Sequence, residues 1–195
     1  MPELIPVSEL APVQELQPGL ILPDSPQREI LEKIEKEAYS EWYGGFGSNK
    51  YTADANAIAN SVSQIPEIEL LVPSDYGVGY HNRCAHFAFG KLLGEDWAVP
   101  HTELPAELWS DPVEFLKQKG FVQVIDSAPG DLVAYARIRD RAPDDEALRF
   151  EHFAVLETGN KAISKLGQGP VVRHPVELVP TSYGNTAFFF RKQAA

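Results

Sequence analysis

The sequence predicts an α+β domain, with N-terminal helices packed on an antiparallel β-sheet. Three observations predict it. Helix signals fill Asp24 to Gly120 and strand signals follow, an order that argues grouped helices on a sheet rather than alternating βα units. A turn of hairpin type, Thr158-Gly159-Asn160, joins two of the strand candidates. The chain has 195 residues and 44% hydrophobic content, enough for one domain with a real core.

The elements follow in order. Residues 1–23 carry Pro2, Pro6, Pro12, Pro18 and Pro23 and read as an extended or disordered arm. Leu20, Ile21 and Leu22 are apolar enough to let that arm wrap the domain. Residues 24–74 read as a helical extension. Asp24 or Ser25 caps its first helix, and Pro26 suits the first turn. Ile30, Ile34, Ala38 and Trp42 recur every four residues and predict the buried face. Gly44 and Gly45 stop the helix. A weaker helix fits 54–63. Pro66 and Pro73 bracket "EIELLV", which is extended or helical.

The core domain spans 75–195. A helix is expected over 83–93, stopped by Gly94, and a shorter one over 112–119, capped by Asp111. Strands are expected at 121–125, 132–138, 152–157, 161–166 and 187–192. Pro129-Gly130 marks the turn before the second of these.

Charge excludes some functions. Seventeen basic residues against 28 acidic ones give a net charge of −11, which disfavours nucleic acid and acidic membrane surfaces. A single cysteine makes no internal disulfide. The first residues lack a basic region and a continuous apolar run, and no run reaches membrane-span length. The expectation is a cytoplasmic protein without a signal peptide or transmembrane segment.

The chemistry centres on Cys84, in "GYHNRCAHFAFGKLLG". A lone cysteine is more often a buried apolar residue than a nucleophile. Its place at a helix start changes the balance, because unsatisfied N–H groups there stabilise a thiolate and could hold an oxyanion. Arg83 adds positive charge. A nucleophile needs a base, and His152 suits this best, opening "HFAVLE" after a polar loop. A third group orients the imidazole. Ser164 is the first candidate, with His174 and Gln168 as alternatives. His81 and His86 stand five apart with no carboxylate between them, so no metal site is expected. "GGFGSN" lacks the following Lys-Ser/Thr of a phosphate loop. No cofactor is expected.

Three segments in order resemble the NlpC/P60 superfamily of papain-like cysteine peptidases and amidases. "NRCAHFAFGKLLG" is similar to its cysteine-bearing helix. "APGDLVAY" is similar to its Pro-Gly-Asp turn into a core strand. "EHFAVLETGNKAIS" is similar to its histidine strand, tight turn and next strand. The resemblance covers residues 75–192. It implies a papain-like fold, a Cys84 nucleophile, a His152 base and Ser164 at the third position. Family members usually carry His, Asn or Gln there, so serine is a departure. Arg83 stands where Asp or Asn is frequent, with Asn82 one earlier. Tyr80 or Tyr76 would line the oxyanion side.

Two functions follow as expectations. One is a thiol hydrolase acting on an amide or peptide bond, with acyl transfer as a variant and a peptide, amide or protein as substrate. The other is a catalytically inactive relative acting as a protein-binding module. Trp97, Trp109 and Tyr183 are the aromatic residues such a module could present, although each is more often core.

Overall fold

Leu132, Val133, Ala134, Tyr135 and Ala136 form one apolar run, and the structure buries all five completely. Such a run makes a strand covered on both faces. The computed structural model of the chain describes residues 16–40, 60–72, 84–94, 105–138, 148–166 and 170–193. They form an α+β fold around a curled antiparallel sheet. The strands are β1 (Leu20–Ile21), β2 (Glu69–Val72), β3 (Phe121–Val124), β4 (Leu132–Ile138), β5 (Leu148–Leu156), β6 (Lys161–Lys165), β7 (Val171–Pro175) and β8 (Thr186–Lys192). Their spatial order is β1-β8-β4-β5-β6-β7-β2, and β3 also pairs with β8. Every pairing is antiparallel.

Side-chain alternation divides the sheet into two faces. Leu132, Ala134, Ala136, Phe150, Phe153, Val155, Phe188 and Phe190 point to the first. It is covered by α2 (Cys84–Leu93), α3 (Glu107–Ser110) and α4 (Pro112–Gln118). Phe89 of α2 centres this layer, with its ring 5.4 Å from Phe153, 5.9 Å from Phe115 and 6.2 Å from Phe121. Asp111 caps α4 by accepting from the Glu114 N–H at 3.1 Å, as its position in the sequence implies.

Val133, Tyr135, Ala154, Leu156, Ala162, Ala187 and Phe189 point to the second face. The segment from Val176 to Tyr183 lies over it, and Leu22 docks beside it. α1 (Pro26–Ser40) clasps that segment. Buried Arg28 donates to the carbonyls of Val179 (2.9 Å), Gly184 (2.5 Å) and Pro23 (3.1 Å). Glu32, one turn on, accepts from the Ser182 N–H at 2.6 Å. Gly184 ends the segment at φ 113°, and a Cβ there would stand 2.1 Å from the Ala136 carbonyl oxygen. Only glycine fits that approach.

Several expectations change. In α1 Arg28 and Leu31 are buried and Ile30 is 46% exposed, while the side chains of Ile34 and Ala38, and Trp42, lie outside the described residues. "EIELLV" contains edge strand β2. The boundary expected near residue 74 does not divide the sheet, because β1 and β2 from the N-terminal third both join it. Leu22 docks as a wrapping arm would, and residues 1–15 lie outside the described ones. β7 is not among the expected strands, and it is a full sheet member. Among the described residues, no helix is long and apolar enough to cross a membrane.

Candidate functional site

β5 carries His152 directly opposite Tyr135 of β4. One strand residue further, the register shifts: Ala136 pairs with Phe150, so Glu151 is an extra residue in a bulge. The bulge sets Phe150 and Phe153 on the helix-covered face and turns His152 to the other face, beside Tyr135 and Ala154. There the His152 ring stacks on Tyr183 at 3.9 Å between centroids and 12° between planes. It is fully buried, and among the described residues neither ring nitrogen has a hydrogen-bond partner. Burial, reinforced by nearby His174, holds its pKa well below the ordinary imidazole value.

His174 and Ser164 share this face. Ser164 pairs across with Ala154 and His174 with Ala162, both residues of the second face. Ser164 Oγ lies 2.9 Å from His174 Nε2, and His174 Nδ1 lies 2.8 Å from the Pro175 carbonyl oxygen. A carbonyl only accepts, so the Nδ1 proton donates to it. Nε2 then accepts from the Ser164 hydroxyl. Burial lowers the His174 pKa to about 4, with the Pro175 contact opposing. The Tyr135 hydroxyl donates to the Val176 carbonyl at 3.0 Å, and burial raises its pKa far above the ordinary phenol value. The result is a sealed polar cluster made of neutral groups.

Cys84 is elsewhere. It is the first residue of α2, 8% exposed, and belongs to the apolar layer with Ala85, Ala88, Phe89 and Phe153 on the first face. The sheet stands between it and the His152 ring. The structure therefore brings His152, Ser164 and His174 together and does not bring Cys84 to them. This arrangement does not support the expected Cys84–His152 pairing: adjacent residues of a strand face opposite ways, and α2 packs on the Phe153 side. Tyr76, Tyr80, Asn82, Arg83, Trp97 and Gln168 lie outside the described residues, as does the side chain of Trp109. Tyr183 is buried and presents no surface to a partner.

The Pro-Gly-Asp turn has a structural explanation. Asp131 accepts from the Ala128 N–H at 2.7 Å and pairs with Arg191 at 2.8 Å. The Gly130 N–H donates to the Leu156 carbonyl, and the Leu156 N–H donates to the Asp131 carbonyl. The motif ties the start of β4 to the end of β5 and to β8.

No protein-family profile, no curated protein and no solved structure matches this chain. Among the described residues, no group of three or more His, Cys, Asp or Glu could hold a metal ion.

Sequence reading missed Arg28, Tyr135 and the stacking role of Tyr183. Tyr135 sits mid-run in "LVAYARI", where one polar oxygen among apolar residues signals a buried hydroxyl that needs an acceptor. Arg28 gave no such signal, because an arginine in a first helical turn is ordinarily solvated.

The outer edge formed by β1 and β3 is the other notable feature. Both strands pair with the side of β8 that β4 leaves open, β1 at residues 186–187 and β3 at 189–192. They run in the same direction, end to end. Gln123 joins them: its amide accepts from the Gln17 N–H and donates to the Gln17 carbonyl, both at 2.9 Å. Ile21 is 69% exposed and Ile125, just past β3, is 68% exposed. Leu20 and Val122 are exposed beside them.

Proposed function

We propose that this chain is a protein-binding module on a papain-like scaffold of the NlpC/P60 kind, without thiol-hydrolase activity. Its partner contributes an extended segment that adds along the β1/β3 edge. The observation that carries this reading is the position of Ile21 and Ile125. They are the two most exposed large apolar side chains among the described residues, and they flank one broken sheet edge. An edge strand offers unpaired N–H and C=O groups, and exposed apolar residues beside it supply side-chain contacts for an added strand. The net charge of −11 opposes self-pairing, so the segment comes from a different protein.

The test is selection from a displayed library of random 12-residue peptides. The expected binders alternate apolar and polar residues and slow amide exchange in β3. An Ile21→Lys/Ile125→Lys variant should lose them. Absence of binders, or binders indifferent to both substitutions, would overturn the proposal.

A thiol-hydrolase reading retains one observation in its favour, the position of Cys84 at the first residue of α2. It requires a base other than His152 on the first face. Turnover of an amide or thioester substrate that is lost in Cys84→Ala and kept in His152→Leu would support it.

A further inference from the structure

A buried imidazole with no hydrogen bond is costly, and evolution normally supplies a partner or an apolar replacement. His152 has neither. Its ring is closed off by Tyr183, at the end of a segment that crosses the second face from Val176 to Gly184. That strap is held at its far end by the Arg28 and Glu32 contacts from α1 and stops at a glycine that no other residue could replace. Past Val176, whose N–H bonds to the Asn160 carbonyl, the backbone bonds within the strap are short-range: Leu178 N–H to Pro175, Tyr183 N–H to Pro180 and Gly184 N–H to Thr181. Beyond it, Asn185 N–H bonds to Ala136 and rejoins the sheet. From Glu177 on, the strap can therefore lift without breaking a strand pairing, while Val176 stays tied to Asn160 and to the Tyr135 hydroxyl.

We infer that the His152–Tyr183 stack is an acid-sensitive latch: protonation of His152 releases the strap and uncovers the polar face with Ser164 and His174. The charged imidazole would need acceptors for two N–H groups, and the closed site offers none to either nitrogen. The titratable and charged groups around this face are Tyr135 from β4, His174 from β7, Glu177 and Tyr183 from the strap, and Arg28 and Glu32 from α1. Glu177 is engaged by the Asn160 side chain and Glu32 by the Ser182 N–H. The His174 ring already donates to Pro175 and accepts from Ser164. Arg28 brings positive charge to the same side. Among the described residues, burial and His174 are what act on the His152 charge, and both oppose it.

The sign follows from which form takes the proton. Closed, His152 stays neutral well below the ordinary imidazole pKa of 6.5, because it is buried. Open, it titrates in water near about 6.5. As pH falls through that value only the open form binds the proton. The closed state is at full strength above pH ~6.5 and weakens roughly tenfold in equilibrium constant per pH unit below it.

The experiment is amide hydrogen exchange between pH 7.5 and 5, corrected for intrinsic rates, on the full chain and on His152→Leu. In the unmodified protein, protection of Leu178, Tyr183 and Gly184 should fall about tenfold per pH unit below pH ~6.5, while β4 and β8 amides keep theirs. In His152→Leu the strap should show no such slope. An equal slope in the variant, or equal loss of protection in β4, would overturn the inference. Should His152→Leu fail to fold, imidazole NMR of the unmodified protein decides. His152 titrating near pH 6.5 with strap amides still protected would refute the latch, and titration concurrent with their release would support it.

Discussion

The two faces of the sheet are built on different principles. The first is an apolar layer of aromatic rings, in which Phe89 meets Phe115, Phe121 and Phe153 and in which Cys84 is one small member. The second buries two histidines, a serine, a tyrosine hydroxyl and an arginine, closed by a strap rather than by a helix. Packing on the first face needs only shape and area. Closure on the second needs directional bonds, and Arg28 makes two of those that hold the strap. The comparison teaches that burial alone does not mark the functional candidate. Cys84 and His152 are both buried, yet only His152 is held without the partners its chemistry calls for.

Substitutions at three positions break or sharpen this contrast. Phe89→Ala removes the ring at the centre of the first face and should cost about 3–5 kcal/mol, read from urea unfolding. It should lower protection on both faces, because the aromatic layer supports the whole sheet. Arg28→Met removes the clasp and leaves buried carbonyls of Val179 and Gly184 without donors, at a cost of about 2–3 kcal/mol. Arg28→Lys should rescue little, because one ammonium cannot copy the guanidinium fork. The loss here should appear first in strap amides, while α2 and α4 stay protected. Ser164→Ala leaves His174 Nε2 without its donor and should cost about 1–2 kcal/mol, read from the same urea curves. A negligible effect would mean that the second face tolerates any unpartnered imidazole, and His152 would then lose its special status.

Much of the fold was legible. The run at 132–138 is β4 with the expected bounds, and Asp111 caps its helix as its spacing implied. Thr158-Gly159-Asn160 makes the turn between β5 and β6, with φ 70° at Gly159 and φ 58° at Asn160, the left-handed region these residues favour. What was not legible is which way each strand faces. In "RFEHFAV" the apolar residues Phe150 and Phe153 stand three apart, and that break in alternation is the trace of the bulge at Glu151. Read as a simple strand opening at 152, it hides the fact that His152 and α2 lie on opposite sides. The α1 face was misread for a related reason. Spacing chose Ile30, but the strap's carbonyls draw in Arg28, and the apolar cluster of Val62, Ile65, Ile68, Val172 and Leu178 draws in Leu31. Ser164 and His174 were each legible as candidates, yet their bond to one another depends on β7, whose membership in the sheet is a matter of long-range pairing.

The central claim is that Cys84 is a packing residue on one face and His152 a latch on the other. The most direct measurement is the rate at which a thiol-directed probe labels Cys84 at pH 7, in the unmodified protein, in His152→Leu and in urea. Because Cys84 is 8% exposed within the aromatic layer, labelling should be at least about tenfold slower in the folded chain than in urea, and His152→Leu should leave it unchanged. Labelling faster in the folded protein than in urea, and slowed by His152→Leu, would contradict the account and restore the Cys84–His152 pairing.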